Sequence, residues 1–291
     1  MRALEHSTLI SFRNILYLTD FTPASEAAFS CALAFARHFN AHLYPAHAVA
    51  PYMPTELEVP VAPDILEKLE ADQRAKLVEL VRNTGLPSTV LVTREDIENA
   101  VPHWINEHGI DLIVMGTHAR KGVDRMFLGS TAEAIVREAT CPALTVGPNV
   151  SPQFTDELDF KKVLIATSLT KQQEPAVSYA LSFARERGAD ITVLHVLPTP
   201  AETQEDWETL ANIARDQMKE LVPTEEGWPH KTEFFVEGGD TASRILEYAS
   251  KLKAELIVLG LSQKPKTSTH FRRGVACKVI GSAPCAVLTV R

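Results

Sequence analysis

Three consecutive residues near the middle of the chain have the chemistry to bind a phosphate. Gly129, Ser130 and Thr131 stand where a loop passes into a predicted helix. The first backbone N–H groups of a helix lack intrahelical partners, and with two hydroxyls beside them they form a ready anion site. Hydrogen bonds to a charged acceptor contribute about 1.5–3 kcal/mol each, so three or four such donors suffice for micromolar binding.

The loop before these residues begins at a second glycine. Gly116 ends the apolar run LIVMG, and a glycine there would let a ligand approach the backbone without a side chain in the way. Two residues separate Gly116 from Ala119, and nine more separate Ala119 from Gly129. His118 also lies in this loop, where it would either contact a ligand or face solvent. Asp20, at the end of another predicted strand, could meet a ribose hydroxyl or a phosphate-bound Mg²⁺.

The elements that must position this loop occur twice along the chain. The recurring segments are NILYLTDFT (14–22) and KVLIATSLT (162–170), DLIVMG (111–116) and ELIVLG (255–260), and ALTV (143–146) and VLTV (287–290). Segments that recur in the same order at nearly the same offset indicate a tandem duplication. We therefore predict domains at residues 10–148 and 159–291, joined by a polar linker at 149–158.

Each copy alternates short β-rich runs with amphipathic helices. In the first copy the predicted strands cover 15–19, 42–49, 88–92, 112–116 and 143–146, and Thr22–Pro23 is a typical helix start. This alternation predicts an α/β fold with an open parallel sheet in each copy. Ligands of such sheets bind at the carboxyl ends of the strands, where the strand order reverses.

The segment DLIVMGTHARKGVDRMFLGSTAEAIVREATCPALTV (111–146) resembles the most recognisable part of the universal stress proteins, a Gly-x2-Gly-x9-Gly-Ser/Thr nucleotide loop. The resemblance covers the chain apart from its first dozen residues and the linker. It implies two tandem, open, five-stranded parallel-sheet domains of the Rossmann-like, adenine nucleotide alpha hydrolase-like kind. It also implies pairing through the last strands and, in one subclass of the family, ATP binding.

The resemblance assigns roles to residues of the first copy by position. Leu18, Thr19 and Asp20 would flank the adenosine, and the main chain of Ala48 would meet the adenine. Met115 and Gly116 would contact the ribose and phosphates, and the helix start would hold the phosphate tail. The predicted ATP site, with or without Mg²⁺, therefore consists of Leu18, Thr19, Asp20, Ala48, Met115, Gly116, His118, Ala119, Gly129, Ser130 and Thr131.

Both copies depart from the family pattern. Ala119 stands where the middle glycine is expected; if that position needs a left-handed backbone, alanine costs about 1–2 kcal/mol and weakens binding. In the second copy Ser168 replaces Asp20 and Gln263 replaces the middle glycine, while Arg273-Gly274-Val275 aligns with the phosphate-binding triplet. We interpret the second copy as a degenerate one retained for pairing, although its basic segment at 264–273 could attract another anion.

Composition excludes several classes of function. A formal net charge of −8 argues against nucleic-acid binding. No apolar run approaches the ~20 residues of a membrane span, and four scattered cysteines form neither a disulfide framework nor a metal motif. We therefore expect a cytoplasmic protein that binds neither nucleic acid nor membrane. His47 and His195, at equivalent strand ends, are expected to be packed histidines bonded to backbone.

The leading hypothesis is a stress-associated module that binds ATP in its first copy. The second copy would pair with the first through antiparallel last strands, and whole chains could associate as a homodimer. An alternative is a scaffold that binds no nucleotide. A slow ATPase ranks third because only Asp20 and His118 could serve as a general base; no catalytic residue and no metal ligand is assigned.

Overall fold

The computed structural model describes residues 10–49, 63–117, 128–150, 158, 160–170, 173–197, 203–222, 231–261 and 274–291. The elements of the first half are β1 Asn14–Leu18, α1 Pro23–Phe39, β2 His42–Ala48, α2 Pro63–Val81, β3 Leu91–Thr93, α3 Ile97–His108, β4 Leu112–Gly116, α4 Ser130–Glu138 and β5 Ala143–Val146. Those of the second half are β6 Lys162–Ala166, α5 Glu174–Arg187, β7 Asp190–Leu197, α6 Gln204–Leu221, β8 Thr232–Gly238, α7 Thr241–Leu252, β9 Leu256–Gly260, α8 Val275–Ser282 and β10 Ala286–Val290.

Local sequence explains where the central elements begin and end. Helix α1 starts at Pro23 after the cap position Thr22, as predicted, because proline's fixed φ suits the first helical position. The helix ends at Asn40, whose φ of 50° is left-handed. Strand β4 is buried from Leu112 to Met115, as expected of a parallel strand covered on both faces. Strand β1 ends at Leu18, one residue earlier than predicted.

The strands form one ten-stranded sheet in the order β3-β2-β1-β4-β5-β10-β9-β6-β7-β8. Within each half all five strands are parallel, which confirms the predicted fold class. The halves meet where β5 runs antiparallel to β10, with Leu144 opposite Leu288. Two hydroxyls reinforce this junction: Thr145 Oγ1 donates to the Val287 carbonyl and Thr289 Oγ1 to the Ala143 carbonyl, each at 3.1 Å.

Helices cover both faces of the sheet and bury two apolar layers. One layer holds residues of α1, α2, α5 and α6, and its aromatic rings come from both halves: the ring centroids of Phe35 and Phe183 are 5.8 Å apart. The other layer holds residues of α3, α4, α7 and α8, including Trp104 and Tyr248. Because each layer runs across the β5–β10 junction, the two halves share their cores.

The termini of the parallel strands define where a ligand can bind. Strand β1 lies between β2 and β4. The chain adds β2 and β3 on one side of β1 and then returns to add β4 and β5 on the other side. Crevices open at the carboxyl ends of strands at such a reversal. The same reversal occurs at β6, which lies between β7 and β9. The sheet thus provides two equivalent sites.

Among the described helices, none is both long and apolar enough to cross a membrane. The expected cytoplasmic location remains a prediction. The four cysteines are free thiols; Cys31, Cys277 and Cys285 are buried and Cys141 is partly buried. Burial raises the pKa of Cys141, Cys277 and Cys285 to about 12, so these thiols are protonated at neutral pH and pack as small apolar side chains.

Candidate functional site

A cleft of about 590 Å³ opens at the carboxyl ends of β1, β2 and β4. Nine of the eleven predicted site residues line it, namely Leu18, Thr19, Asp20, Ala48, Met115, Gly116, Gly129, Ser130 and Thr131. The other two, His118 and Ala119, lie outside the described residues. The fold therefore brings the ends of three strands and the start of α4 to one crevice, and the volume is in the ~300–1,000 Å³ range of small-molecule sites.

The turn after β1 holds Asp20 at the rim of this first cleft. Asp20 Oδ1 accepts hydrogen bonds from the backbone N–H of Thr22 at 3.1 Å and from its hydroxyl at 2.5 Å. The intervening residue, Phe21, has a left-handed φ of 60°, and its N–H donates to Thr19 Oγ1 at 3.0 Å. The carboxylate is therefore oriented by the turn that begins α1, before any ligand arrives.

His47 lines the first cleft and is fixed by the backbone. Its Nδ1 lies 2.8 Å from the Thr19 carbonyl oxygen; because a carbonyl can only accept, Nδ1 carries the proton. His195 makes the same bond to the Thr167 carbonyl at 2.8 Å. The prediction of packed, backbone-bonded histidines is confirmed. The His47 ring also packs against Phe21, with 4.8 Å between centroids, so it supports the turn that carries Asp20.

The start of α4 presents its donors to the same cleft. Gly129 is the N-cap, and its carbonyl accepts the Glu133 N–H at 2.9 Å. No side chain caps this end, so the amides of the first turn have no intrahelical acceptor. Ser130 and Thr131 are exposed in the cleft wall. No heavy atom lies within 4 Å of where a Gly129 Cβ would be, so the approach to these amides is open among the described residues.

Gly116 lines the cleft, but the need for a glycine at this position has a different cause from the one expected. A Cβ at Gly116 would lie 2.2 Å from the Ala24 carbonyl oxygen and 2.7 Å from the Ser25 nitrogen. The glycine is required because the first turn of α1 packs directly on the end of β4. The interpretation that it clears a path for the ligand was wrong, since the vacant side-chain position faces the helix.

Three acidic residues of the cleft wall were not among the predicted site residues. Glu95, Asp96 and Glu98 lie between the end of β3 and the first turn of α3, and with Asp20 they bring four carboxylates to the lining. No lysine or arginine belongs to the described part of this lining. Their position after a strand, at the same sheet edge as Asp20, is the signal that could have revealed them. Within the described residues no group of three or more potential metal ligands is assembled.

The model of the Universal stress protein family matches residues 11–147 and again residues 159–291. The chain belongs to the universal stress protein family. It carries two such domains in tandem, and a curated universal stress protein of Mycolicibacterium smegmatis matches across both, 25% identical over 95% of this chain and 96% of its own length. The exact domain limits predicted from the sequence stay predictions.

The comparison with solved structures finds other universal stress proteins, and one that matches nearly the whole chain shows the same fold. One from Archaeoglobus fulgidus covers 96% of this chain and 98% of its own, at 15% identity and a TM-score of 0.69. Another was solved in complex with cAMP; it matches 45% of this chain and 97% of its own, at 19% identity and a TM-score of 0.35. That nucleotide is a ligand of that protein.

The second domain of this universal stress protein has a cleft of about 380 Å³ at the equivalent place. Ser168 stands where Asp20 stands in the first cleft. Helix α8 is capped by Gly274, so Gly274 rather than Arg273 is structurally equivalent to Gly129, which corrects the alignment by one residue. The helix that begins with Ser130 and Thr131 in the first domain begins with Val275 and Ala276 in the second.

Proposed function

We propose that this universal stress protein binds ATP, accompanied by Mg²⁺, in the cleft of its first domain. The observation that carries the proposal is the open crevice in which the uncapped start of α4 faces the end of β1. Backbone amides at a helix start, with Ser130 and Thr131 hydroxyls beside them, suit the phosphate chain. The apolar side chain of Leu18 lines the same cleft and suits the adenosine.

The charge of the lining favours the magnesium complex over free ATP. The four carboxylates of the described wall repel a bare triphosphate. A bound Mg²⁺ would offset this repulsion, with phosphate oxygens and Asp20 as oxygen ligands. Mg²⁺ is usually held by one or two carboxylates together with substrate phosphates, so we propose that the cation enters with the nucleotide.

In this proposal the second domain acts as the intramolecular partner of the first. Its strand β10 covers the edge of β5, which would otherwise present unpaired backbone groups to solvent. The remaining sheet edges are β3 and β8. Association of whole chains into a homodimer stays a prediction. Light scattering during size-exclusion chromatography tests it by measuring the molar mass of the particle.

Equilibrium binding of labelled ATP, with and without Mg²⁺, tests the proposal directly. We expect one site per chain, tighter with Mg²⁺, and its loss in Gly129→Arg, because the open space at Gly129 admits the arginine side chain into the phosphate end of the cleft. Gly274→Arg, at the equivalent cap of α8, is the matched control and should leave one ATP per chain. Absence of saturable binding at millimolar ATP, or binding unchanged by Gly129→Arg, contradicts the proposal.

The scaffold alternative makes the opposite prediction. A protein that holds no nucleotide would show none when purified gently, denatured and analysed by mass spectrometry. The acidic wall of the first cleft favours this alternative whenever Mg²⁺ is absent. Purification in buffers with Mg²⁺ and with a chelator therefore separates the two: nucleotide retained only with Mg²⁺ supports the ATP site, and none in either buffer supports the scaffold.

A further inference from the structure

The last turns of α4 and α8 each receive a hydrogen bond from the other domain. Arg291, directly after β10, donates through Nη2 to the Arg137 carbonyl of α4. Asn149, three residues after β5, donates through Nδ2 to the Ser282 carbonyl of α8, at 3.4 Å. Each of these carbonyls lies eight residues beyond the glycine cap of its helix. The two domains therefore hold equivalent positions of each other's helices.

The antiparallel junction explains this exchange. Strand β10 ends beside the beginning of β5, where α4 leads into the sheet, so the residue after β10 lies next to the end of α4. In the same way β5 ends next to the end of α8: a Cβ at Gly147 would lie 3.3 Å from the Ile280 carbonyl oxygen. Gly147 and Arg291 directly follow their strands. The position that carries an arginine in the second domain therefore carries a glycine in the first.

The two contacts differ in charge. The end of a helix carries carbonyl groups without intrahelical partners and a partial negative charge, which a cation complements. The guanidinium of Arg291 is a charged donor, whereas the amide of Asn149 is neutral. Burial lowers the pKa of Arg291, and the neighbouring Glu138 carboxylate opposes this shift, so a negative charge of the last turn also faces the guanidinium. The contact that the second domain makes to α4 is therefore the stronger of the two.

Helix α4 needs such support. An isolated helix of fewer than ~12–15 residues is marginal in water, and α4 has nine. No side chain caps its start, where the N–H groups of the first turn face the first cleft. Burial and the nearby Glu133 carboxylate raise the pKa of Cys277, in the first turn of α8, so α8 lies close to the start of α4. The second domain thus supports α4 near both of its ends.

From these contacts we propose that Arg291 of the second domain is a positioning residue for the nucleotide cleft of the first. By holding the last turn of α4 against the end of β10, Arg291 sets where the amides at the start of α4 lie in the cleft. Its consequence for phosphate binding rests on the proposed ATP function, whereas the positioning of α4 does not. The second domain then contributes to the first cleft as well as covering the edge of β5.

Amide hydrogen exchange of the nucleotide-free full chain tests the positioning of α4 directly. We expect Arg291→Ala to speed exchange in α4 at least about tenfold and to change exchange in α8 by less than about twofold. Asn149→Ala is the matched control, since it removes the equivalent contact and should speed exchange in α8 alone. Arg291→Lys keeps a cationic donor and should restore most of the protection of α4. If Arg291→Ala fails to fold, Arg291→Gln removes the charge in its place.

Equilibrium binding of ATP with Mg²⁺ to the same chains tests the consequence for the cleft. Arg291→Ala should bind ATP at least about fivefold more weakly than the natural chain, because the amides at the start of α4 are no longer held in one place. Arg291→Lys should recover most of this loss, and Asn149→Ala should bind ATP as the natural chain does. A lysine variant as weak as the alanine variant, or an equal loss in Asn149→Ala, contradicts the assigned role.

The two measurements keep this inference apart from the proposed function. Unchanged exchange in α4 of Arg291→Ala, or acceleration spread evenly over the sheet, overturns the positioning role whether or not ATP binds. If the natural chain binds no ATP, the proposed function fails, and the exchange result still decides how α4 is held. If ATP binds equally well to the natural chain and to Arg291→Ala, the contribution of the second domain to the cleft is overturned and the proposed function stands.

Discussion

Phe21 and Leu169 occupy the same place in the two domains, and both have a left-handed backbone, with φ of 60° and 58°. Each follows the first strand of its domain by three residues. The N–H of each donates to a threonine hydroxyl two residues earlier, Thr19 or Thr167, at 3.0 Å. Non-glycine residues adopt this conformation only where the surroundings hold them in it. The shared threonine bond is therefore what keeps both cleft rims in shape.

Removing the threonine hydroxyl should destabilise both domains, the first more than the second. Thr19→Val leaves the Phe21 N–H without its acceptor and removes the bond from Thr19 Oγ1 to Ser25 Oγ. Thr167→Val removes the hydrogen bond that the Leu169 N–H donates to Thr167 Oγ1. We expect losses in the free energy of unfolding of about 2 and about 1 kcal/mol, measured by urea denaturation. Thr19→Ser is the control, and equal stability of Thr19→Val and Thr19→Ser would contradict the role of the hydroxyl.

Alanine at the two strand-end glycines should have unequal effects. The Cβ of Gly116→Ala meets backbone atoms of Ala24 and Ser25, which cannot move without shifting α1. The Cβ of Gly260→Ala meets the Gln173 side chain, which can rotate away at the cost of its hydrogen bond. We expect Gly116→Ala to cost about 3 kcal/mol or more and Gly260→Ala about 1–2 kcal/mol.

Thermal denaturation measures both changes. Gly129→Ala is the matched control, because its φ of −58° suits alanine and nothing lies within 4 Å of the added Cβ. It should change the melting temperature little. If Gly116→Ala is as stable as Gly129→Ala, the packing of α1 on β4 is looser than the structure indicates.

Asp240→Ala should destabilise the protein, whereas Asp96→Ala should not. Asp240 caps α7 through Ser243, and loss of an N-cap costs about 1 kcal/mol; Asp96 makes no side-chain cap on α3. The hydrogen bonds from the Ser243 N–H and hydroxyl lower the pKa of Asp240 from its ordinary value of 3.8, with help from Lys278.

A carboxylate whose pKa is lower in the folded than in the unfolded protein stabilises the fold at pH values above its unfolded-state pKa. This stabilisation is lost as the pH falls through the folded-state pKa. The stability difference between the natural chain and Asp240→Ala should therefore be constant near neutral pH and shrink below pH 3.8. Urea denaturation at pH 7 and at successively lower pH measures this. A difference that grows on acidification would contradict the assignment.

Removing the two junction hydroxyls should weaken the contact between the domains. Thr145→Val and Thr289→Val each delete a hydroxyl that donates across the β5–β10 pair, in a fully buried setting. We expect each to cost about 1 kcal/mol and the pair to speed amide exchange in β5 and β10 more than in β1 and β6. The serine variants keep the hydroxyl and serve as controls; faster exchange spread evenly over the sheet would speak against a local effect.

Much of the fold could be predicted because it depends on local patterns. The repeated segments revealed the duplication, and the start of α1 at Pro23 followed from proline's restricted φ. The start of α4 could be predicted because a glycine followed by two hydroxyl residues is a pattern confined to three consecutive positions. Nine predicted site residues lie together at one cleft, since parallel strands bring their carboxyl ends to the same edge.

Local sequence patterns specify the order of strands and helices, the two copies and the strand ends that form each cleft, because hydrophobic period and turn residues act over a few neighbouring positions. Tertiary packing sets which neighbours contact those strand ends: Ala24 contacts Gly116, Gln173 contacts Gly260, and the acidic turn after β3 lines the first cleft. Such close approaches join residues far apart in the chain. They depend on where whole helices settle against the sheet, which no local pattern specifies.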